Sequence, residues 1–234
     1  MEIDHPVNWE YTIRQEGMMN MINMLKNWHN STIGERAVKA LRQHGFEALY
    51  CETCQEAVDY ILQQIPEGAR IGVGGSSTLR EIGLIDLLYQ KGFTLYDHGQ
   101  PGLSAEEIKE CRYKQLNSDV FLTSSNAITL KGELVNRDGA GNRVASMIFG
   151  PQKTIVVAGI NKVVKDLEEA EQRIRNIAAP LNNKRLERPN PCVKTGQCAD
   201  CQLPTRICNV TTIIHRCPSL SKIHVVIIGE NHGF

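Results

Sequence analysis

The sequence predicts an α/β domain built on a mostly parallel sheet with helices on both faces. Short apolar strands are predicted near Arg70, Phe93, Val120 and Thr154, with helical patterns between most of them. The run from Thr154 to Ala158 is β-branched and continuous, as in a strand that is covered on both faces. Several strands end directly in glycines, hydroxyls and amides, and open α/β sheets bind ligands at that carboxyl edge. These observations together predict a ligand-binding α/β fold.

The chain divides into three predicted parts. These are an N-terminal helical segment over residues 1–45, the α/β domain over 46–186, and a Cys-rich C-terminal appendage over 187–234 that returns to the sheet. Two helices are expected in the first part, at Asn8–His29 and at Thr32–His44. The first of them carries an apolar stripe, expected to fill a core or an interface: Met18, Met21, Ile22, Leu25 and Trp28.

Composition restricts the function classes. The 234 residues include 26 basic and 26 acidic side chains, so no overall charge favours nucleic acid or an anionic membrane as a partner. No apolar run approaches the roughly 18 residues that a membrane span needs, and the N-terminus lacks the order of a secretory signal. A cytoplasmic location is the expectation, and there the 8 cysteines should be thiols or metal ligands.

One candidate binding loop runs through Gly74, Gly75, Ser76, Ser77 and Thr78. It joins a small-residue strand directly to a helical pattern. Free backbone N–H groups and the positive end of a helix dipole suit such a loop to an anion. Its residues match neither a Walker loop nor a dinucleotide fingerprint, and a tight turn without a ligand is the alternative.

A second candidate stretch, Asp119–Pro151, changes from an apolar strand into loops rich in glycine and amides. Asp138 is the predicted proton acceptor, whereas Glu133 and Arg143 are second choices because a strand would point them to solvent. A hairpin whose polar residues only satisfy turns is the alternative. The predicted ligand-binding residues of this stretch are Thr123, Asn126, Asn136, Gly139 and Asn142.

The C-terminal appendage holds a predicted metal centre. Its four candidate ligands lie close together in the sequence: Cys192, Cys198, Cys201 and Cys208. Thiolates at this spacing, around a C-x-x-C core, favour an iron–sulfur cluster or zinc, with the cluster slightly ahead. The alternative is a group of reduced cysteines that pack as small hydrophobes. A second C-x-x-C pair, Cys51 and Cys54, is interpreted as ordinary packing.

Three segments together resemble the LUD (lactate-utilisation domain) family: GGSSTLREIGL, DVFLTSSNAITLKGELVNRDGAGNRVASMIFGP and TGQCADCQLPTRICN. The similarity covers roughly Leu62 to Phe234. It implies a sheet of the ribose-5-phosphate isomerase and CoA-transferase type. The family is tied to lactate oxidation through some members, and many members have no assigned reaction.

A weaker similarity concerns methylthioribose-phosphate isomerase. The stretch from Asn126 to Gly139 is similar to part of the sugar-phosphate site of that family. However, Thr-Ser-Ser-Asn stands here where the isomerases place Gly-Ala-Asp, so an amide replaces the acidic group. The resemblance therefore implies a phosphate-bearing or CoA-like ligand without implying the isomerase reaction.

Two function classes follow. The chain is either an enzyme or ligand-binding subunit with a small-molecule pocket formed by both loops, or an accessory redox or assembly protein that carries a metal centre. The sequence does not decide whether the chain is catalytic. It leaves open a homo-oligomer and a redox partner subunit.

Overall fold

A parallel sheet of six strands forms the centre of the protein. The computed structural model describes residues 9–234, with side chains from residue 17 onward. The strands of the central sheet are β1 (Glu47–Cys51), β2 (Arg70–Val73), β3 (Thr94–Asp97), β4 (Val120–Thr123), β7 (Lys153–Gly159) and β10 (Ile223–Ile228). Their order is β1-β10-β7-β4-β2-β3, and every pairing is parallel. The predicted fold class is confirmed.

Both faces of this sheet are covered, because alternate side chains of its strands enter two different cores. Val157 points to the face covered by α2 (Cys54–Gln64), α3 (Ser77–Glu81) and α4 (Leu84–Gln90). Its neighbour Val156 points to the other face. That alternation between two apolar environments explains the β-branched residues from Thr154 to Val157.

A second, smaller sheet covers part of that other face. Its strands are β5 (Ala127–Thr129), β6 (Leu134–Asp138), β8 (Val163–Val164) and β9 (Val210–Ile214), in the order β8-β5-β6-β9. Strands β5 and β6 form an antiparallel hairpin that turns at Gly132, whose φ is +83°. We expected loops over most of this stretch. Its middle part is a hairpin, in which Ala127–Thr129 and Leu134–Asp138 flank the turn.

The N-terminal segment is one helix, α1 (Trp9–Gln43), so the expectation of two helices is wrong. The hydroxyls of Ser31 and Thr32 donate to the Trp28 carbonyl at 3.0 and 2.8 Å, which lets polar residues stay inside the helix. Asn8, the predicted start, lies outside the described residues. The apolar stripe is exposed and does not fill the core. The part of α1 that packs on the sheet begins further along, with Ala37 and Leu41.

The remaining helices are α5 (Ala105–Leu116), α6 (Asn142–Ile148), α7 (Leu167–Arg173), α8 (Ala179–Arg185) and α9 (Cys192–Thr195). Helices α3 and α4 are separated at Gly83, whose φ is +70°. Helix α7 continues into α8 through a turn of π-helix at Ile174–Ala178, because proline at position 180 is tolerated in the first turn of α8. No helix within residues 9–234 has the length and apolar content to cross a membrane.

Candidate functional site

The two predicted ligand loops line one crevice of about 600 Å³ at the carboxyl edge of the central sheet. Strands β2 and β4 are paired neighbours, so the loops that follow them leave the sheet side by side. Eight of the predicted ligand-binding and catalytic residues face the crevice: Gly74, Gly75, Ser76, Ser77, Asn126, Asp138, Gly139 and Asn142. The other three, Thr78, Thr123 and Asn136, are fully buried and do not line it.

The three buried residues support the crevice from below. Thr78 accepts a hydrogen bond from the Lys162 ammonium at 2.7 Å. Asn136 accepts from Arg143 at 2.7 Å. A Cβ placed on Gly74 would lie 2.7 Å from Oγ1 of Thr123, so this close approach requires glycine at position 74.

Gly75 adopts a left-handed backbone conformation, with φ of +70°, and glycine is required there for a second reason. A Cβ would also lie 3.2 Å from Nε2 of His98. The next residue, Ser76, uses its hydroxyl to accept from the Leu79 N–H and caps α3. The backbone of this loop is therefore set by local structure.

Arg143 is the main organiser of the second loop, and its expected exposure to solvent is wrong. Residues 142–148 form α6 and not a strand, because Gly141 in a left-handed conformation starts a helix there. The guanidinium turns inward and donates to Ser124 O, Asn126 Oδ1 and Arg137 O at 3.0–3.1 Å. Burial lowers the pKa of Arg143.

Asp138 faces the crevice with both carboxylate oxygens engaged. Its Oδ1 accepts from the Gly141 N–H at 3.0 Å, and its Oδ2 lies 3.4 Å from Nε of Arg143. These contacts fix the turn that leads into α6. They give Asp138 a role as a loop anchor beside its predicted role as a proton acceptor.

The crevice concentrates positive charge in a chain whose formal net charge is zero. Eight of its lining side chains are basic: Arg80, Arg112, Arg137, Arg143, Lys162, Arg185, Arg188 and Arg206. Asp138 is the single acidic side chain in the described lining. Because low-dielectric walls strengthen a field of one sign, the crevice attracts anions.

Some of these cations have acidic partners and some do not. Arg80, Arg137, Arg143 and Arg206 form ion pairs. Among residues 17–234, no carboxylate lies within ion-pair distance of four others: Arg112, Lys162, Arg185 and Arg188. Arg112 also has a buried Nε without a hydrogen-bond partner in the described part of the chain. Of these, Arg112, Arg185 and Arg188 have no acidic partner to displace before they bind an anionic ligand, whereas Lys162 is buried against hydroxyls.

His98 presents a neutral imidazole to the same crevice. The side-chain amide of Gln115 donates to the carbonyls of Val73 and Tyr96 at 2.8 and 2.9 Å, which identifies its nitrogen. That nitrogen also lies 2.8 Å from Nδ1 of His98. Burial, followed by the charge of Arg112, lowers the pKa of His98. His98 is therefore a neutral imidazole in the wall of the crevice.

Several of the basic side chains and His98 were not assigned a role from the sequence. His98 comes directly after β3, and Lys162 lies in the short turn that follows β7, the same signal that identified the Asn126 loop. Arg112 and Arg185 instead lie on helices, where a charged residue is usually a solvated one. Only the packing of these helices around the crevice distinguishes Arg112 and Arg185 from solvated arginines.

The four tail cysteines surround a second, much smaller cavity of about 20 Å³. The short helix α9 begins at Cys192 and ends before Cys198. In the described part of the chain no three of their sulfurs lie within 4.8 Å of one another. Burial raises the pKa of Cys192 and of Cys208, which keeps both as thiols unless a cation is present.

A different group of metal-ligand types lies near the C-terminal end of the chain. Donor atoms of Cys54, Glu230 and His232 lie within 4.8 Å of one another. Glu230 accepts from the Cys54 N–H at 3.3 Å and contacts Nε2 of His232 at 3.0 Å. These hydrogen bonds lower the pKa of Glu230 and account for the cluster without a metal.

Comparisons with known proteins agree with this architecture. The family model described as LUD domain matches residues 34–228. The chain is similar to the crystal structure of a DUF162 family protein from Deinococcus radiodurans at 1.70 Å resolution, with a TM-score of 0.52 and 14% sequence identity. That match covers 85% of this chain and 98% of the other, and it shows a shared fold alone. No curated protein matches the chain.

Proposed function

The chain belongs to the LUD domain family, and we propose that it binds a small anionic molecule, bearing phosphate or carboxylate groups, in the cationic crevice. The observation that carries this proposal is the convergence of eight basic side chains around a space of about 600 Å³. Sites for small molecules typically occupy roughly 300–1,000 Å³. Sugar phosphates, CoA esters and small hydroxy acids are the ligand classes that fit, the last also from the resemblance to lactate-utilisation proteins.

The excess of positive charge in the crevice favours an anionic ligand over a neutral one. Arg112 has a buried nitrogen without a partner in the described chain, and such a group costs about 1–3 kcal/mol until it is bonded. Phosphate and carboxylate oxygens match the planar donors of arginine. The neutral imidazole of His98 adds a polar group to the crevice without adding charge.

Thermal stabilisation tests this function. We expect at least one of the three ligand classes to raise the melting temperature of the wild-type protein, with affinity then measured by calorimetry. Arg112→Gln should weaken binding about 10- to 100-fold, because a hydrogen bond to a charged group contributes about 1.5–3 kcal/mol. Lys109→Gln removes the same charge from an exposed position on α5 outside the crevice and should bind as wild type.

Two results would contradict the proposal. One is the absence of stabilisation by every class at millimolar ligand. The other is equal weakening in Arg112→Gln and Lys109→Gln, which would indicate long-range electrostatics without a defined site.

A second candidate function, an accessory redox or assembly role, is favoured by the small cavity in the tail. All four predicted ligands line it, and Arg206 holds the loop around it by donating to the carbonyls of Cys201 and Cys208. Four thiolates would bind zinc or an iron–sulfur cluster. A zinc ion with Zn–S bonds near 2.3 Å would require the sulfurs to move inward.

Metal and acid-labile sulfide content of anaerobically purified protein tests the second function. We expect close to one metal centre per chain, lost in the double variant Cys198→Ser/Cys201→Ser. The control is Cys111→Ser, which changes a cysteine on α5 outside the tail. Less than about a tenth of an equivalent of metal in the wild type would remove this function.

A further inference from the structure

Lys162 is a buried lysine whose partners are hydroxyls. It lies at the end of the 3₁₀ turn that follows β7, and its Nζ contacts Thr78 Oγ1 at 2.7 Å and Ser124 Oγ at 3.0 Å. Within residues 17–234 no carboxylate comes within ion-pair distance of it. The energetic cost of a buried ammonium without a counter-ion favours the neutral amine.

The two arginine charges near Lys162 act in the same direction. Burial, followed by Arg173 on α7 and Arg143 on α6, lowers its pKa to about 7, against an opposing contribution from Glu81 on α3. Near neutral pH a large fraction of this lysine is therefore an amine with a free lone pair. An amine in that state accepts a proton from a hydroxyl within hydrogen-bonding distance.

Only one of the two hydroxyls reaches the crevice. Ser124 lines the crevice, in the loop that follows β4, whereas Thr78 is fully buried. Thr78 also donates to the His232 carbonyl at 3.3 Å, so its hydrogen-bonding positions are filled from both sides. The arrangement is a nucleophile, a base and a third group that orients the base, with Ser124, Lys162 and Thr78 in these roles.

We propose that Ser124 is a nucleophile toward the carbonyl of an ester or thioester that carries an anionic group, and that Lys162 accepts the Ser124 proton. This inference rests on the proposed anion site, which would hold the charged end of the substrate. Arg143 fixes the peptide of Ser124 by donating to its carbonyl at 3.0 Å, so the serine is positioned before the substrate binds. The fully buried base and the largely buried serine limit the access of water to the proton transfer.

The proton and electron balance closes without an oxidant or reductant. The Ser124 oxygen forms a bond to the carbonyl carbon as its proton moves to Nζ of Lys162. Collapse of the tetrahedral species breaks the C–O or C–S bond, and the Lys162 ammonium gives the proton to the leaving alkoxide or thiolate. The acyl group on Ser124 then passes to water or to a second alcohol or thiol by the same steps in reverse, which restores both residues.

Labelling with the serine-directed reagent diisopropyl fluorophosphate tests the nucleophile. We expect one adduct per chain, mapped to Ser124 by peptide mass spectrometry, at a rate that rises with pH through about 7 as Lys162 loses its proton. Lys162→Met should slow the reaction by about 100-fold or more, the usual contribution of a general base. Lys109→Met is the matched control and should react as wild type. Ser124→Ala should give no adduct.

The outcomes separate this inference from the anion site. An anion that stabilises the wild type, combined with no adduct or with adducts at other residues, overturns the nucleophile and leaves the binding function intact. An adduct rate that is unchanged in a folded Lys162→Met protein overturns the base. An adduct on Ser124 without any anion binding would overturn the proposed function instead.

Discussion

Arg143 Nη1 donates a 2.7 Å hydrogen bond to Oδ1 of Asn136, and through this bond α6 and β6 hold each other in place. The same guanidinium bonds three further acceptors, of which Ser124 and Asn126 belong to the loop after β4. One buried side chain therefore connects the floor of the crevice to its wall.

Replacing the Arg143 side chain should lower the stability of the protein. Arg143→Met removes the donors of four hydrogen bonds to oxygen acceptors and leaves the buried Asp138 carboxylate without its ion-pair partner, so we expect a loss of about 3–5 kcal/mol in the free energy of unfolding. Urea unfolding followed by circular dichroism measures it. Arg216→Met, at an exposed position, should change stability by less than about 0.5 kcal/mol. Equal effects in the two variants would contradict the central role of Arg143.

Asp138→Asn separates the two roles of Asp138. The amide keeps an oxygen for the Gly141 N–H but loses the charge that faces Arg143, so stability should fall by about 1–3 kcal/mol. Anion affinity should increase, because the single acidic side chain of the described lining is neutralised. Labelling of Ser124 by diisopropyl fluorophosphate should persist in this variant. Loss of labelling with binding intact would instead identify Asp138 as the proton acceptor. Asp59→Asn, exposed on α2, is the control.

Gly75→Ala and Gly68→Ala form a matched pair, because their φ angles are +70° and +71°. Alanine in the left-handed region costs about 1–2 kcal/mol at either position. Only at Gly75 would the new Cβ meet a neighbour, Nε2 of His98 at 3.2 Å. We therefore expect Gly75→Ala to lose more stability than Gly68→Ala, and to weaken anion binding, which Gly68→Ala leaves unchanged. Indistinguishable variants would show that His98 does not contact this loop.

The lowered pKa of Lys162 predicts a specific pH dependence of the free energy of unfolding. Its pKa is about 7 in the folded protein and has the ordinary value of 10.5 in the unfolded chain. Between these pH values the unfolded chain binds a proton that the folded protein does not. The free energy of unfolding should therefore rise with pH, by up to about 1.4 kcal/mol per unit, and fall again as pH decreases toward 7.

Urea unfolding of wild type and Lys162→Met at pH 7, 8 and 9 measures this dependence. The wild type should gain stability relative to the variant at each step, whereas Lys109→Met should follow the wild type. A difference between wild type and Lys162→Met that is constant with pH would mean that the folded-state pKa of Lys162 is not lowered.

Local signals in the sequence were sufficient to predict the strands of the central sheet and some of the residues that line the crevice. Each apolar run flanked by turn residues became a strand, and glycine-rich or amide-rich segments after β2 and β4 met at one edge because adjacent parallel strands end together. The sequence favoured loops over the hairpin of β5 and β6, since the two strands of this hairpin are only three and five residues long. Strands that short have little periodicity of their own.

The sequence by itself determined the fold class and the two loops that line the crevice, because strand and turn preferences are local properties of neighbouring residues. Only the tertiary structure decided which charges meet there. Arg112 and Arg185 are ordinary helical arginines until α5 and α8 pack around the same space. The lowered pKa of Lys162 likewise arises from burial among residues distant in the chain. Desolvation and charge proximity depend on distances through space, which no local pattern records.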